Sequence, residues 1–245
     1  MKKIALLLAL VLMLTVTLVS CGGNYDDGAP DLGDDKVPEN DDAVNDVKAD
    51  VQYDCKYEAY TYNVHNGKTV EITAYDFDYV GDGASTAAAK DEEEIKTVEI
   101  TVPDKIDGLP VTKIGSRAFA SNNRLAAITI PEGVTEIADE AFWFNDSLES
   151  VELPESLKTL GKRAFNYCPA LKTLEIPEGV TEIPAELCDE CLALETLTIG
   201  SAVTKIASKA FNNCIALETV NFDGDVSALT IENGNDALSE ILLGK

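Results

Sequence analysis

Histidine, tryptophan and basic side chains are all scarce in this chain. Its 245 residues include a single histidine, His65, and 19 basic residues against 44 acidic ones, which gives a formal net charge of −25. The single histidine excludes every catalytic or metal site that needs two. The low number of lysines and arginines argues against nucleic-acid binding, because phosphates are neutralised by clustered basic side chains. Six cysteines are too few for a disulfide scaffold of this length.

Residues 1–20 have the features of a signal peptide. Two lysines supply positive charge, and the apolar stretch 4–18 is shorter than the about 20 residues that span a bilayer. The sequence Leu18-Val19-Ser20-Cys21 that follows resembles the bacterial lipobox. This resemblance implies that Cys21 is the lipidated first residue of the mature chain and anchors it to a membrane. The alternative is an ordinary secretion signal followed by a chance cysteine.

The segment 21–50 is predicted to be a disordered acidic tether. Its ten acidic side chains are opposed only by Lys36 and Lys48. Such a segment buries too little apolar surface to offset its conformational entropy, and its charges repel one another. The alternative is a cation-binding tail, although runs of like charge are usually just solvated.

The body of the chain, residues 108–222, repeats itself every 23 residues without a gap. Apolar residues recur at the same positions of each repeat, and one column is aromatic except at Cys188. A period of this length is typical of a solenoid, in which each coil buries its apolar face against its neighbours. The five repeats begin at Val111, Val134, Leu157, Val180 and Val203.

The repeat sequence resembles a known family. Residues 171–176 follow the pattern L-x-x-L-x-I, and Ile-Pro-Glu-Gly-Val-Thr-Glu-Ile occurs at 130–137 and again at 176–183. These motifs resemble the leucine-rich repeat and, more narrowly, its BspA-like subclass on bacterial surface proteins. The resemblance implies a β-rich leucine-rich repeat solenoid with short helical turns.

Caps are expected at both ends of this solenoid. Residues 51–107 are predicted to form an N-terminal β cap, because Tyr62–Tyr75 has alternating runs around an Asn66-Gly67 turn and therefore indicates a hairpin. Residues 223–245 are expected to form a C-terminal cap.

Cys188 and Cys191 have the C-x-x-C spacing of redox and zinc sites. However, Cys188 lies in the aromatic column. Cys191 lies at the Asn/Cys position of the leucine-rich repeat, where a small polar side chain forms hydrogen bonds with backbone groups of the turn. We interpret the repeat cysteines as buried thiols, with a Cys188–Cys191 disulfide as the alternative; Cys55 has no assigned role. Disulfides between coils would distort the strand register. The Asn/Cys column comprises Asn122, Asn145, Cys168, Cys191 and Cys214.

Other motifs carry little chemistry. The segment 76–87 resembles a calcium loop, but its fifth position is Val80 and its twelfth is Ala87 rather than Glu, so it indicates at most a weak cation site. The chain has no phosphate-binding glycine loop, and its only histidine lies in the predicted cap. We therefore expect no enzymatic activity, no metal and no cofactor.

One column of the repeat alternates in charge. Stacked coils would place these side chains next to one another, and a slip by one coil would bring like charges together. We predict that this charge column fixes the order of the coils; chance is the alternative. It comprises Arg117, Glu140, Arg163, Glu186 and Lys209.

The predicted binding site is the outward face of the strands, since solenoids of this kind bind proteins through an extended face. The resemblance adds adhesion to the predicted role, which is a non-catalytic, monomeric, lipid-anchored module on a bacterial cell membrane or outer surface. The alternatives are a structural or accessory subunit of an envelope complex and a carbohydrate-binding module, which the lack of aromatic residues in the row disfavours. The strand-face row comprises Thr129, Ser150, Glu152, Thr173, Glu175, Thr196, Thr198, Thr219 and Asn221.

Overall fold

The computed structural model describes residues 55–57, 59–76 and 97–244, so the predicted signal peptide and tether lie outside the described residues. The described residues form sixteen strands and one helix. In chain order these are β1 (Cys55–Tyr57), β2 (Tyr60–His65), β3 (Thr69–Tyr75), β4 (Val98–Thr101), β5 (Lys105–Ile106), β6 (Leu109–Ile114), β7 (Leu125–Thr129), β8 (Glu136–Ile137), β9 (Ser150–Glu152), β10 (Thr159–Leu160), β11 (Thr173–Ile176), β12 (Glu182–Ile183), β13 (Thr196–Ile199), β14 (Lys205–Ile206), β15 (Thr219–Phe222), β16 (Thr230–Ile231) and α1 (Asp236–Leu243).

The predicted N-terminal hairpin is formed by β2 and β3, which pair antiparallel. Asn66 and Gly67 adopt left-handed φ angles of 52° and 62° at the turn, the conformation that an Asn-Gly hairpin favours. β3 then pairs in parallel with β6, while Val70 and Ile72 are fully buried. The hairpin therefore covers the open end of the stack.

Each coil of the body contributes two short strands to two parallel sheets. The register advances by one 23-residue repeat per coil, so that Thr173 pairs with Thr196 and Thr196 with Thr219. Because inward and outward residues alternate along a strand, the apolar residues of both sheets point into one core. The fold is the predicted solenoid, and its six coils are marked by β6, β8, β10, β12, β14 and β16.

Stacked aromatic rings form the centre of the core. Phe119, Phe142 and Phe165 lie parallel, with centroids 5.3 and 5.2 Å apart. Tyr75 of the hairpin stacks on Phe119 at 5.5 Å, so the cap continues the aromatic column of the repeats. Cys188 interrupts the column and is fully buried.

Both sheets are interrupted once within the stack. On the strand face, β4, β7 and β9 form one sheet and β11, β13 and β15 another. In the second sheet the break falls between β10 and β12, and Pro184 explains it. At the equivalent positions Gly161 and Ala207 donate backbone hydrogen bonds of 2.7 and 2.9 Å to the preceding coil, whereas proline has no N–H to donate.

The stack is longer than the five coils expected from the 23-residue register. Upstream, β4 pairs with β7, and its Ile100 lies opposite Ile128. Downstream, β16 pairs with β14 and α1 follows, with Leu238 fully buried. Both additions depart from the 23-residue spacing, which explains why the sequence register did not include them.

Candidate functional site

The strand-face row lies on one surface of the solenoid. Its side chains alternate with buried residues such as Val151, Leu174 and Leu197, which point into the core. Two hydrogen bonds join members on neighbouring coils, from Thr129 Oγ1 to Glu152 at 3.0 Å and from Asn221 Nδ2 to Thr198 at 3.3 Å. Ser150, Glu152, Thr173, Glu175, Thr219 and Asn221 are exposed, and Thr129, Thr196 and Thr198 are half-buried.

A depression of about 450 Å³ lies on this face where the sheet is interrupted between β9 and β11. Carboxylates and hydroxyl groups on both sides of the break line it, including Ser150, Glu152, Thr173 and Glu175. The buried residues Val151 and Leu174 also line it. These groups can accept and donate hydrogen bonds to a partner, so the arrangement suits recognition.

The Asn/Cys column lies inside the turns. Asn145 is fully buried and donates from Nδ2 to the carbonyl oxygens of Phe119 and Phe142, at 2.9 and 2.8 Å. Asn122 instead accepts from backbone N–H groups of its own turn, at 2.7 and 3.1 Å. The thiols of Cys168, Cys191 and Cys214 donate to the carbonyl oxygens of Phe142, Phe165 and Cys188.

Sequence reasoning missed a further member of this column. Asn235 donates from Nδ2 to the backbone carbonyl oxygens of Ala207 and Glu232, both at 2.9 Å. Its Oδ1 accepts a hydrogen bond from the backbone N–H of Phe211 at 2.9 Å. It comes two residues earlier than the repeat spacing places it after Cys214. The sequence feature that could have identified it is an asparagine directly before the C-terminal helix.

Cys168, Cys188, Cys191 and Cys214 are free, buried thiols. Burial removes water from the thiolate and raises the pKa of Cys168 and Cys188 well above the ordinary thiol value. Thiols of this kind are poor nucleophiles and poor metal ligands, because both roles need the thiolate. The side chain of Cys55 lies outside the described residues.

Metal-binding arrangements are absent from the part of the chain that the structure describes, where no three His, Cys, Asp or Glu side chains form a potential cluster. His65 Nε2 lies 3.0 Å from Glu71 Oε2 at the edge of the hairpin. The calcium-like segment 76–87 lies outside the described residues after Asp76.

The charge column forms ion pairs between successive coils. Arg117 and Arg163 donate from Nε to Glu140 and Glu186, at 2.5 and 2.6 Å. Its five residues all have φ near +60° at the same point of the turn, which aligns their side chains along the stack. The hydrogen bond from Arg163 lowers the pKa of the Glu186 carboxyl.

An aromatic cluster that sequence reasoning missed lies at the turns. Phe144 and Tyr167 are stacked, with centroids 4.5 Å apart, and both are about 40% exposed. Trp143 lies against Phe144 at 5.5 Å. The repeat register places Phe144 and Tyr167 at equivalent positions of neighbouring coils, and this 23-residue spacing was the signal that could have found the pair. The rest of that column is polar.

Residues 93–230, more than half of the chain, match the model of the BspA-type leucine-rich repeat region, in six copies. This chain belongs to the BspA-type leucine-rich repeat family. The six copies agree with the six coils of the solenoid, and the family resemblance seen in the motifs is confirmed.

Several solved leucine-rich repeat proteins have a similar fold. A leucine-rich cell surface protein of Faecalibacterium prausnitzii A2-165 is 26% identical, with a TM-score of 0.57, and the match covers 69% of this chain and 39% of that one. The T. pallidum leucine-rich repeat protein is 20% identical, with a TM-score of 0.54 and coverage of 73% and 85%, which shows the fold alone. A leucine-rich repeat protein of Eubacterium ventriosum is 23% identical, with a TM-score of 0.52 and coverage of 67% and 40%.

This BspA-type chain therefore spans about two fifths of the length of the F. prausnitzii and E. ventriosum proteins. No curated protein matches it. Within the described ranges, no helix is both long enough and apolar enough to cross a membrane.

Proposed function

We propose that this protein is a non-catalytic cell-surface module that binds another protein through the strand-face row. The observation that carries this proposal is the in-register alignment of small polar side chains on neighbouring coils, with Thr173, Thr196 and Thr219 side by side. Solenoids use such extended faces for binding. The BspA-type family and the F. prausnitzii cell surface protein support a role in protein interaction or adhesion.

The chemistry of the face favours a protein partner with basic side chains. Its exposed groups are hydroxyls, an amide and the carboxylates of Glu152 and Glu175, on a chain of net charge −25. Complementary charge speeds association and excludes wrong partners. No aromatic side chain belongs to the row, so the row offers no stacking platform for a sugar.

We further propose that the module is held at the membrane by lipid on Cys21. The lipobox-like residues before Cys21 support this, and the acidic segment 21–50 would act as a spacer. Several acyl chains anchor a protein more persistently than a single one does. The cell surface is also the usual location of BspA-type proteins.

A capture experiment tests the binding role. Protein beginning at residue 51 is used as bait against an extracellular extract and, separately, against solubilised envelope of the producing cells. A specific external protein supports adhesion, whereas an envelope protein of the same cells supports the accessory-subunit alternative. Failure to capture any saturable partner from either source would contradict the proposal.

A further inference from the structure

A second surface with the properties of a binding site lies at the turns of the first two coils. It is an open pocket of about 450 Å³ lined by Ser121, Asn123, Trp143, Phe144 and Asp146. None of these residues belongs to the strand-face row, so the pocket is a separate feature.

The rings beside this pocket are held at an unfavourable backbone position. Phe144 and Tyr167 both have φ of 60°, a left-handed conformation that bulky side chains rarely adopt. In the other coils the same turn position is occupied by Ser121, Glu190 and Asn213, which are polar. Both rings are exposed and outside the core, so core packing does not account for them. Such strain is concentrated at ligand sites.

Tyr167 covers one face of the Phe144 ring and lies nearly parallel to it, at an interplanar angle of 7°. About 40% of Phe144 remains exposed. Tyr167 does not line the pocket, so the pocket lies on the opposite side of Phe144, above Ser121. Because Ser121 carries no ring, the aromatic stack ends at Phe144 and leaves a gap above Ser121.

Polar groups surround this gap. The hydroxyl of Ser121, the amide of Asn123 and the carboxylate of Asp146 all line the pocket. An aromatic guest would leave these groups without partners, whereas a ligand with several hydroxyl groups can pair with all of them. A small pocket with one apolar platform and a few convergent polar groups is typical of a small-molecule site.

A cationic guest fits less well, because the chain supplies its own cation. The Arg117 guanidinium carbon lies 5.7 Å from the centre of the Trp143 ring, and Arg117 is also paired with Glu140. A second positive charge at this ring would be repelled by the first. The ring that fits best is therefore neutral, with polar edges and an apolar face.

We propose that this pocket binds a pyranose ring of a carbohydrate, which stacks on the open face of Phe144 above Ser121. The C–H groups of the sugar carry partial positive charge and meet the negative face of the aromatic ring. Its hydroxyl groups donate to Asp146 and exchange hydrogen bonds with Asn123 and Ser121. This site is independent of the protein-binding role of the strand face.

Tryptophan fluorescence of the full chain tests the site directly, because Trp143 is the only tryptophan and lines the pocket. The probes are the methyl pyranosides of glucose, galactose and mannose, and N-acetylglucosamine, at millimolar concentrations. We expect a saturable change with at least one of them. Phe144→Asn removes the platform with a residue that suits the left-handed turn, and should weaken binding by at least about tenfold.

The most discriminating variant is one that fills the gap above Ser121. Ser121→Phe places a ring where the sugar would lie and should abolish binding, whereas the matched Asn213→Phe, at the same turn position of a distant coil, should leave it unchanged. Folding of each variant is checked by its urea midpoint. The proposal is overturned if all four sugars give no saturable change, if Ser121→Phe folds and binds normally, or if N-acetylargininamide binds and no sugar does.

Discussion

Arg163 donates from Nε to the carboxylate of Glu186 on the next coil, over 2.6 Å. Its Nη1 also lies 3.5 Å from Glu140 on the preceding coil, which is itself paired with Arg117. One arginine thus bridges two carboxylates along the stack. The alternation of charge in the sequence therefore corresponds to physical contacts between four successive coils.

Reversing Arg163 is expected to destabilise the fold. Arg163→Glu would place three carboxylates next to one another, and exposed pairs of this kind contribute ~0–1 kcal/mol each. Adding Glu140→Arg and Glu186→Arg should rescue part of the loss, since it restores alternation around residue 163. The free energy of unfolding in urea, at low salt, measures both effects.

High salt supplies the control for this charge effect, because the Debye length falls to about 3 Å at 1 M and the differences should shrink. A triple variant no more stable than Arg163→Glu alone would contradict a role in coil order. The alternation of charge along the column would then be chance.

Asn145 is expected to stabilise the turns more than a cysteine at the same position does. Asn145→Ala leaves the carbonyls of Phe119 and Phe142 without this donor, at a cost of ~1–3 kcal/mol. Asn145→Cys is the matched control, because Cys168 and Cys191 each donate to one such carbonyl. Its loss should be smaller, and equal losses in urea unfolding would show that the hydrogen bonds of this column contribute nothing.

The buried thiols should make stability fall at alkaline pH. Burial raises the pKa of Cys168 and Cys188, whereas in the unfolded chain thiols titrate near about 8.5. Above that pH the folded chain holds more protons than the unfolded one, so the free energy of unfolding decreases as pH rises; below it this contribution is constant.

Urea midpoints under reducing conditions at about pH 7.5 and about pH 9.5 measure this dependence. The fall should be shallower in Cys168→Ala with Cys188→Ala, which removes two of the titrating groups. Rapid labelling of either thiol by a bulky reagent in the native protein would contradict their burial.

The lipid anchor predicts that mature protein begins at Cys21 and partitions with membranes. Cys21→Ala should release it into the soluble fraction, with Cys55→Ala as the matched control. Mass spectrometry of the native N-terminus identifies the acyl chains. An unmodified N-terminus elsewhere, or membrane association that survives Cys21→Ala, would show that the lipobox resemblance is misleading.

Periodicity made much of this fold predictable, because a residue in one coil contacts its equivalent in the next. The stacking of Phe119 on Phe142 and the exposure of Thr173 both follow from the 23-residue register. Features that break the register were not predictable in this way. The strand at 98–101 and the capping Asn235 lie outside the spacing.

Departures within single coils were also hidden. Pro184 interrupts the second sheet because it lacks the backbone N–H that Gly161 and Ala207 donate at the equivalent positions of other coils. Phe144 and Tyr167 occupy the same position of neighbouring coils, so the register could have placed their rings together. The register does not specify that both rings stay about 40% exposed, because exposure depends on the side chains around the turn.

The strand face is tested most directly by binding of the captured partner to matched variants. Ser150→Arg with Thr173→Arg places two bulky cations on exposed positions that line the depression of this face. Thr135→Arg with Thr181→Arg makes the same changes at exposed positions outside the row. We predict that the first pair weakens binding by at least about tenfold while the second leaves it unchanged. Equal affinity for both pairs, with urea midpoints like that of the parent protein, would contradict binding through the strand face.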